Sequence, residues 1–423
     1  MTSVTTPITS RERIQMLDVI RGFALLGILL MNIEYFQRPL TAMLFGLDQS
    51  LQGVDRVVGW SVFTFVQGSF YTMFSLLFGM GFVIFYDRAK QREPHPRRLF
   101  LRRIVVLALF GMVHLFLIWG GDILLTYAIC GLVLALFANS PARRLLKWGI
   151  SFFLIPVALF WLGAFAMQAA LQDPAVAEEV LSDVARTSEQ LQAFIVHANE
   201  VYASGGYADI YRLRMYELSK LYGTGGVIFF LPTLLGIFLI GASLARSGIF
   251  TSFEKRPRAY THLLRWGLLL GLPAALYIGF YGTRPNMLLP SPGSALTFTI
   301  DQVANFGLCF FYISLIALTL RTAERAKRQH WLRHLAPAGR MALTNYLMHS
   351  VVFTTLFYGY GFAMYGEISR SVATALAIGL WLLQLPLSRW WLERYRFGPC
   401  EWLWRTLTYG ERQTFKRVKQ AQQ

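Results

Sequence analysis

Apolar residues dominate the chain in runs of about 20, each long enough for a helix to cross the hydrocarbon core of a bilayer. Ten such runs lie near 16–36, 68–87, 99–119, 122–138, 145–169, 225–245, 261–281, 296–320, 341–364 and 371–392. The pattern predicts an all-α fold, a polytopic membrane helical bundle of about ten transmembrane helices with a periplasmic helical cap. Val54–Gln67 is apolar but shorter, and fits a span, a re-entrant helix or an interfacial one. The spacings Ser75–Gly79 and Gly267–Gly271 suit close packing between helices. The one long polar insertion, 171–222, alternates apolar and polar residues at helical spacing and predicts two or three amphipathic helices between spans five and six. Its Gly205–Gly206 reads as a turn, and Gly225–Gly226 as the start of the next helix.

Composition sharpens this picture. With 423 residues, 55% hydrophobic and 15% charged, the chain is too apolar for a soluble protein of its size. It reads as one integral membrane domain over 1–423. The net charge of +17 would suggest nucleic acid in a soluble protein, but Lys and Arg also collect in the cytoplasmic loops of membrane proteins. Of the 40 Lys and Arg, 31 fall at the N-terminus, in alternate loops and in the tail, and only 8 on the other side. That bias predicts both termini in the cytoplasm, 171–222 in the periplasm and no nucleic-acid partner. Arg11 and Arg13 precede the first run without a small-residue cleavage site, which reads as an anchor. The tail, 395–423, has Trp402, Trp404 and Arg405 in an amphipathic pattern suited to the cytoplasmic membrane surface. Cys130, Cys309 and Cys400 form neither a CxxC pair nor a disulfide framework.

An ionisable residue inside a span is costly and marks a functional site by default. The stretch Gly111–Gly131, GMVHLFLIWGGDILLTYAICG, reads as two helices joined at Gly120–Gly121. It holds His114, about 9 Å below the helix end, and Asp122, which could equally be the N-cap of the second helix. Asp301 and Glu34 fall in the same half of the membrane, so Asp122, Asp301 or Glu34 could orient His114 and leave its other nitrogen free as a base. In the first run Asp18, Arg21, Leu25, Ile28 and Asn32 share one helical face. Arg21 could pair with Asp18, grip phosphate or snorkel to the surface. Arg102, Arg103 and Arg340 are further basic residues that could hold a nucleotide. Asn345 lies one turn before His349, which could be a site residue or bond across to another helix.

At LDVIRGFALLGILLMN, FSLLFGMGF, HLFLIWGGDILLTYA, GRMALTNYL and FGPCEWLWRTLTYG the chain resembles the YeiB-like family (DUF418) of bacterial inner-membrane proteins. That family was long defined only as a domain of unknown function, some members being described as transport proteins. Its first-helix signature is also similar to that of transmembrane acyltransferases, which O-acylate surface sugars or N-acetylate heparan sulfate. The resemblance implies acyl-CoA (acetyl-CoA) as co-substrate, bound from the cytoplasm, with no metal. It also implies an acceptor on the far side. The sugar O-acylating enzymes carry a catalytic His ten residues beyond an Arg on the first helix, and the same count from Arg21 lands on Asn32. In the heparan sulfate N-acetylating enzyme, which is lysosomal, the histidine follows the first helix, where only His95 stands here. The base must then be another residue, with His114 the natural replacement; His349 in NYLMH resembles a late YLxH element.

Two readings follow. One is a membrane acyltransferase with His114, Asp122, Asp301 and Glu34 as candidate catalytic groups, and Asp18, Arg21, Asn32, Arg103, Arg340, Asn345 and His349 around the acyl donor. The other is a transporter with the same His, Asp and Arg residues along a proton or solute path. A non-catalytic scaffold would leave the intramembrane charges unexplained. Expected partners are the lipid bilayer and an envelope glycan or small-molecule acceptor, with homodimerisation open. The charge bias is testable directly. Phosphatase fused after Arg143 or Arg325 is expected to be inactive and phosphatase fused within 171–222 active; the reverse pattern would invert the topology.

Overall fold

Each of the ten apolar runs carries helix in the computed structural model, which describes residues 15–223, 226–249, 256–281, 288–328 and 330–417. Arg11, Arg13, Gly225, Lys255, Arg284 and the last six residues lie outside the described residues. The chain begins with α1 (Gln15–Phe36), a 3-10 turn (Leu40–Phe45), α2 (Gly53–Phe65), α3 (Ser69–Arg92) and α4 (Pro96–Val113). α4 runs on through a π turn, His114–Ile118, before the chain reverses into α5 (Leu124–Leu134). α6 (Ala142–Ala170) leads to α7 (Pro174–Ser204) and α8 (Tyr207–Gly223), which make up the polar insertion. Next come α9 (Gly226–Arg246), then α10 (Pro257–Trp266) and α11 (Leu272–Tyr281), joined by a second π turn. α12 (Pro292–Arg325), α13 (Leu335–Arg340), α14 (Ala342–Phe357), α15 (Arg370–Arg394) and α16 (Pro399–Tyr409) complete the described chain.

The helix ends follow local chemistry. Proline opens α4, α7, α10, α12 and α16, where the missing N–H would be unsatisfied in any case. Asp173, Ser291 and Ser369 cap α7, α12 and α15 through their side chains. Among the described residues eight stretches are long and apolar enough to cross a membrane. The Leu124–Phe137 helix is shorter, and α14 has 16 residues. α2 resolves the marginal run into a separate helix of 13 residues, about 20 Å long and too short to span alone. It turns into α3 at Gly68, whose φ of 84° suits glycine.

α1 sits at the centre and α6 at the rim: 72% of the apolar window of α1 is buried inside the protein, against 17% for α6. Trp148, Leu154, Leu162 and Phe165 of α6 face outward, as a lipid-facing surface requires. Glycine lets the central helices touch backbone to backbone. A Cβ at Gly339 of α13 would lie 1.9 Å from the Asp18 carbonyl oxygen of α1. One at Gly79 of α3 would lie 2.0 Å from that of Phe238 on α9. Gly267 and Gly271 pack likewise on Gly307 of α12.

Two polar clusters close the end of the bundle that carries α7 and α8. Glu217 of α8 is fully buried; it accepts from the Thr41 N–H at 2.9 Å and hydroxyl at 3.2 Å, and from the Tyr202 hydroxyl at 2.9 Å. Tyr207 donates to Leu117 O at 2.7 Å and Arg214 to Phe116 O at 3.2 Å. Gly359 N, just beyond α14, donates to Tyr202 O at 2.9 Å. These bonds tie the cap to the ends of α1, α4 and α14.

Beneath them Glu34 of α1 is held by both guanidinium nitrogens of Arg370 on α15, and by Arg38 at 2.7 Å. Breaking such a buried pair from one side costs about 3–5 kcal/mol, because the other charge stays buried. Arg370→Ala is therefore expected to melt well below wild type in detergent, and Glu34→Gln with Arg370→Met to regain most of the loss. A single variant melting like wild type would show that the pair contributes nothing.

Candidate functional site

The π turn at the end of α4 widens the helix where His114 begins it, and Trp119 N bonds back to His114 O at 2.8 Å. The chain then runs non-helically through Trp119–Ile123 before α5 starts. Gly111 makes room for this reversal, since a Cβ there would lie 2.3 Å from Leu125 N. Across it, His114 Nδ1 is 2.7 Å from Asp122 Oδ2, and Asp122 Oδ1 accepts from Leu125 N at 2.7 Å. Asp122 thus holds the first turn of α5 as well as His114. His114 Nε2 lies 2.8 Å from the hydroxyl of Ser350 on α14. In the tautomer with the proton on Nδ1, His114 donates to Asp122 and Nε2 accepts the Ser350 O–H. The side chains of His114 and Asp122 have no exposed area, and Ser350 is equally buried.

Beside this chain of bonds lies a cavity of about 350 Å³. At the basic end of the bundle it is lined by Arg21, Arg88, Arg103, Arg340 and Arg405, against the carboxylates of Asp18 and Glu401. Arg21 pairs with Asp18 at 2.9 Å. Arg103 is sandwiched between the rings of Trp404, 3.7 Å away, and Phe85, 4.9 Å away. Further in, the walls turn apolar, with Leu25, Ile28, Leu77, Phe78, Phe82 and Leu107. The inner end is bounded by Asn32, Gly121, Ile123, Tyr127 and Tyr346. Tyr346 donates to Gly121 O at 3.4 Å, and its ring centroid is 5.1 Å from that of His114. Tyr346 therefore lines the cavity on one side and touches the buried histidine on the other.

The sequence-derived candidates separate into two groups. Asp18, Arg21, Asn32, Arg103 and Arg340 all line the cavity, together with Leu25 and Ile28 of the same α1 face. Arg21 bonds Asp18, one turn nearer the basic end of α1. The expectation that Asp301 or Glu34 orients His114 is corrected. Glu34 is held by Arg370 and Arg38, and Asp301 bonds Asn305 at 3.0 Å and Gln302 at 3.4 Å on its own helix. Asn345 and His349 do not line the cavity. Asn345 donates to Ala338 O at 3.2 Å and to the Ser388 hydroxyl at 3.1 Å, and His349 Nε2 lies 2.8 Å from Gln384 Oε1 of α15. His349 thus bonds across to another helix. Among the described residues no three His, Cys, Asp or Glu side chains converge as a metal site.

Ser350, Tyr346 and Glu401 have no sequence signal that singles them out. Ser350 follows His349 in NYLMHS, and Tyr346 sits four residues before it on the same helical face. Glu401 of α16 reaches back to the start of α14, where its Oε1 accepts from the N–H groups of Leu343 at 2.8 Å and Thr344 at 3.1 Å. Its Oε2 accepts from the Thr344 hydroxyl at 2.6 Å. Burial nonetheless pushes the Glu401 carboxyl above the usual carboxylate range. Trp404 of the same helix donates to Arg103 O at 2.9 Å, so α16 forms part of the cavity mouth.

Fold and site define a polytopic helical membrane protein whose arginine-lined cavity leads inward to a buried His–Asp pair. Residues 244–411 match the family described as "Protein of unknown function (DUF418)". The chain is 31% identical to YxaH of Bacillus subtilis (strain 168) over 417 residues, which cover 95% of it and 96% of YxaH. It is 30% identical over 400 residues to YeiB of Escherichia coli (strain K12), covering 94% of this chain and 96% of YeiB. No solved structure matches. The chain belongs to the YeiB-like DUF418 family.

The contact of Glu401 with α14 has a measurable consequence. Glu401→Ala leaves three donors at the α14 start without their partner, a loss of about 1–3 kcal/mol. Trypsin is expected to cut the variant at Arg405 under conditions that leave wild type intact. Identical digestion of the two would mean that α16 is held without Glu401.

Proposed function

We propose that this protein is an inner-membrane acyltransferase that takes an acyl group from acyl-CoA and passes it to an envelope acceptor, a sugar hydroxyl or an amine. The observation that carries the reading is the cavity. It is basic at one end, apolar along its length and closed at the other beside His114 and Asp122. Five guanidiniums suit the phosphates of a nucleotide, which planar donors grip better than point charges do. The apolar walls suit the thioester arm. From Arg21 to Asn32 along α1 is roughly 17 Å at 1.5 Å per residue, so an anionic head at the mouth and a reactive carbon at the inner end are well separated. The basic end is then the cytoplasmic one, in line with the Lys and Arg bias, and the cap is periplasmic.

In this reading His114 is the general base, and Asp122 fixes its tautomer and stabilises the imidazolium formed when the proton arrives. The acceptor oxygen or nitrogen attacks the thioester carbonyl, the C–S bond breaks and CoA leaves as a thiolate that takes up a proton. Asn32, at the inner end, is placed to donate to the developing oxyanion. The exclusion of water from so buried a pair strengthens each of these interactions.

Two variants separate binding from chemistry. Arg21→Ala is expected to weaken acetyl-CoA binding to detergent-purified protein more than Arg21→Lys. His114→Ala should keep that binding and lose about 10²–10⁴-fold in acetyl transfer to envelope sugars. Wild-type protein that neither binds nor consumes acetyl-CoA, and instead moves a solute across proteoliposomes, would overturn the reading in favour of a transporter.

A further inference from the structure

Serine and threonine inside a helix ordinarily turn the hydroxyl back to a carbonyl one turn earlier. In this chain Ser61 bonds Val57 O at 2.7 Å, Thr233 bonds Phe229 O at 2.7 Å and Thr374 bonds Arg370 O at 2.8 Å. Ser350, in the middle of α14, does otherwise: its hydroxyl meets His114 Nε2 at 2.8 Å, 236 residues away in sequence. The other nitrogen of the same ring meets Asp122 at 2.7 Å. A hydroxyl, an imidazole and a carboxylate in this order form the arrangement that activates a serine nucleophile.

We infer that Ser350 is a catalytic nucleophile and that transfer proceeds through an acyl-serine. The inference rests on the acyltransferase reading, and replaces its direct attack of the acceptor on the thioester by two steps through a covalent carrier. In the first half-reaction Ser350 Oγ attacks the thioester carbonyl carbon and its proton passes to His114 Nε2. The C–S bond breaks, and the CoA thiolate leaves with the proton from the imidazolium. In the second, the acceptor O–H or N–H gives its proton to Nε2 as its oxygen or nitrogen attacks the ester carbonyl. Ser350 leaves and regains that proton, so both half-reactions balance with the two substrates alone.

The approach to Ser350 is set by Tyr346. It lies one helical turn earlier on the same face of α14, lines the inner end of the cavity and packs its ring against His114. The proposal requires that ring to turn aside so that the cavity reaches the hydroxyl. His349, the adjacent residue, points instead to Gln384 and takes no part.

The test uses the full-length protein in detergent with acetyl-CoA radiolabelled in the acetyl group and no acceptor. Wild type is expected to release CoA in an initial burst and to keep label through acid quenching, on the peptide that contains Ser350. Ser350→Ala should bind acetyl-CoA as wild type does and carry no label. Ser350→Cys should regain label, now removable by neutral hydroxylamine as a thioester. His114→Ala should bind without labelling. A wild type that acetylates an acceptor yet never retains label would overturn the acyl-serine and leave the acyltransferase reading standing. Label that persists on Ser350→Ala would overturn it in favour of another nucleophile. A wild type that does not bind acetyl-CoA at all would overturn both.

Discussion

The hydrogen bond between His114 and Asp122 is the constraint on which the centre of this bundle depends. Both side chains are sealed from solvent, and a charge in that position is tolerated only with a partner. The partner comes from eight residues further along, so the chain must reverse within Trp119–Ile123 to deliver it. The reversal needs a helix that ends early, which the π turn provides, and a close approach of α4 to α5, which Gly111 permits. Trp119 then fills the space against Phe36 of α1, their ring centroids 4.2 Å apart. Asp122 divides its two oxygens between His114 and the first turn of α5. One carboxylate therefore holds both the start of α5 and the imidazole.

Around that contact the bundle is polar in a directed way. At the basic end the arginines line an open cavity, and its mouth is completed by α16, a helix anchored at the start of α14 by Glu401. At the opposite end the charges are paired and covered. Glu34 is clamped by Arg370, and Glu217, Tyr207 and Arg214 fasten the cap to the chain ends below. The two ends differ because one presents cations toward a space, while at the other Glu34, Glu217 and Arg214 bond to neighbouring elements.

How much of this was legible in the sequence follows from the range of each interaction. The α1 face Asp18, Arg21, Leu25, Ile28 and Asn32 could be read because helical periodicity alone puts those residues together, and all five line the cavity. The His114–Asp122 pair was legible because its members flank one glycine-rich turn. Which acid faced the histidine was not: Asp301 and Glu34 sit on helices whose neighbours are decided by packing between distant segments. The same limit hid Ser350, 236 residues from His114, and Glu401, 58 residues from Leu343. A serine in an apolar helix is common and announces nothing until the fold shows where its hydroxyl points. Asn345 and His349 carried a stronger motif and yet bond to Ser388 and Gln384, because their side of α14 packs on α15 rather than on the cavity.

In the acyltransferase proposed above, donor and acceptor arrive from opposite faces, a geometric difficulty that the buried histidine alone does not remove. The cavity is lined by arginines at the basic end of the bundle, and the hydrogen bonds of α7 and α8 fasten the cap over the opposite end. Direct transfer would require both substrates to meet at the inner end at once, with the cap displaced while the donor is still bound. A hydroxyl on α14, set behind Tyr346 and bonded to His114, divides the problem in time. The acyl group can leave its donor while the cap is shut and water excluded, and the ester can wait for an acceptor after CoA has gone. In the proposed scheme one imidazole serves both steps, its tautomer held by Asp122, with the same Nε2 taking the proton from serine and then from the acceptor. The burial that makes the pair expensive is, on this account, what protects the intermediate from hydrolysis.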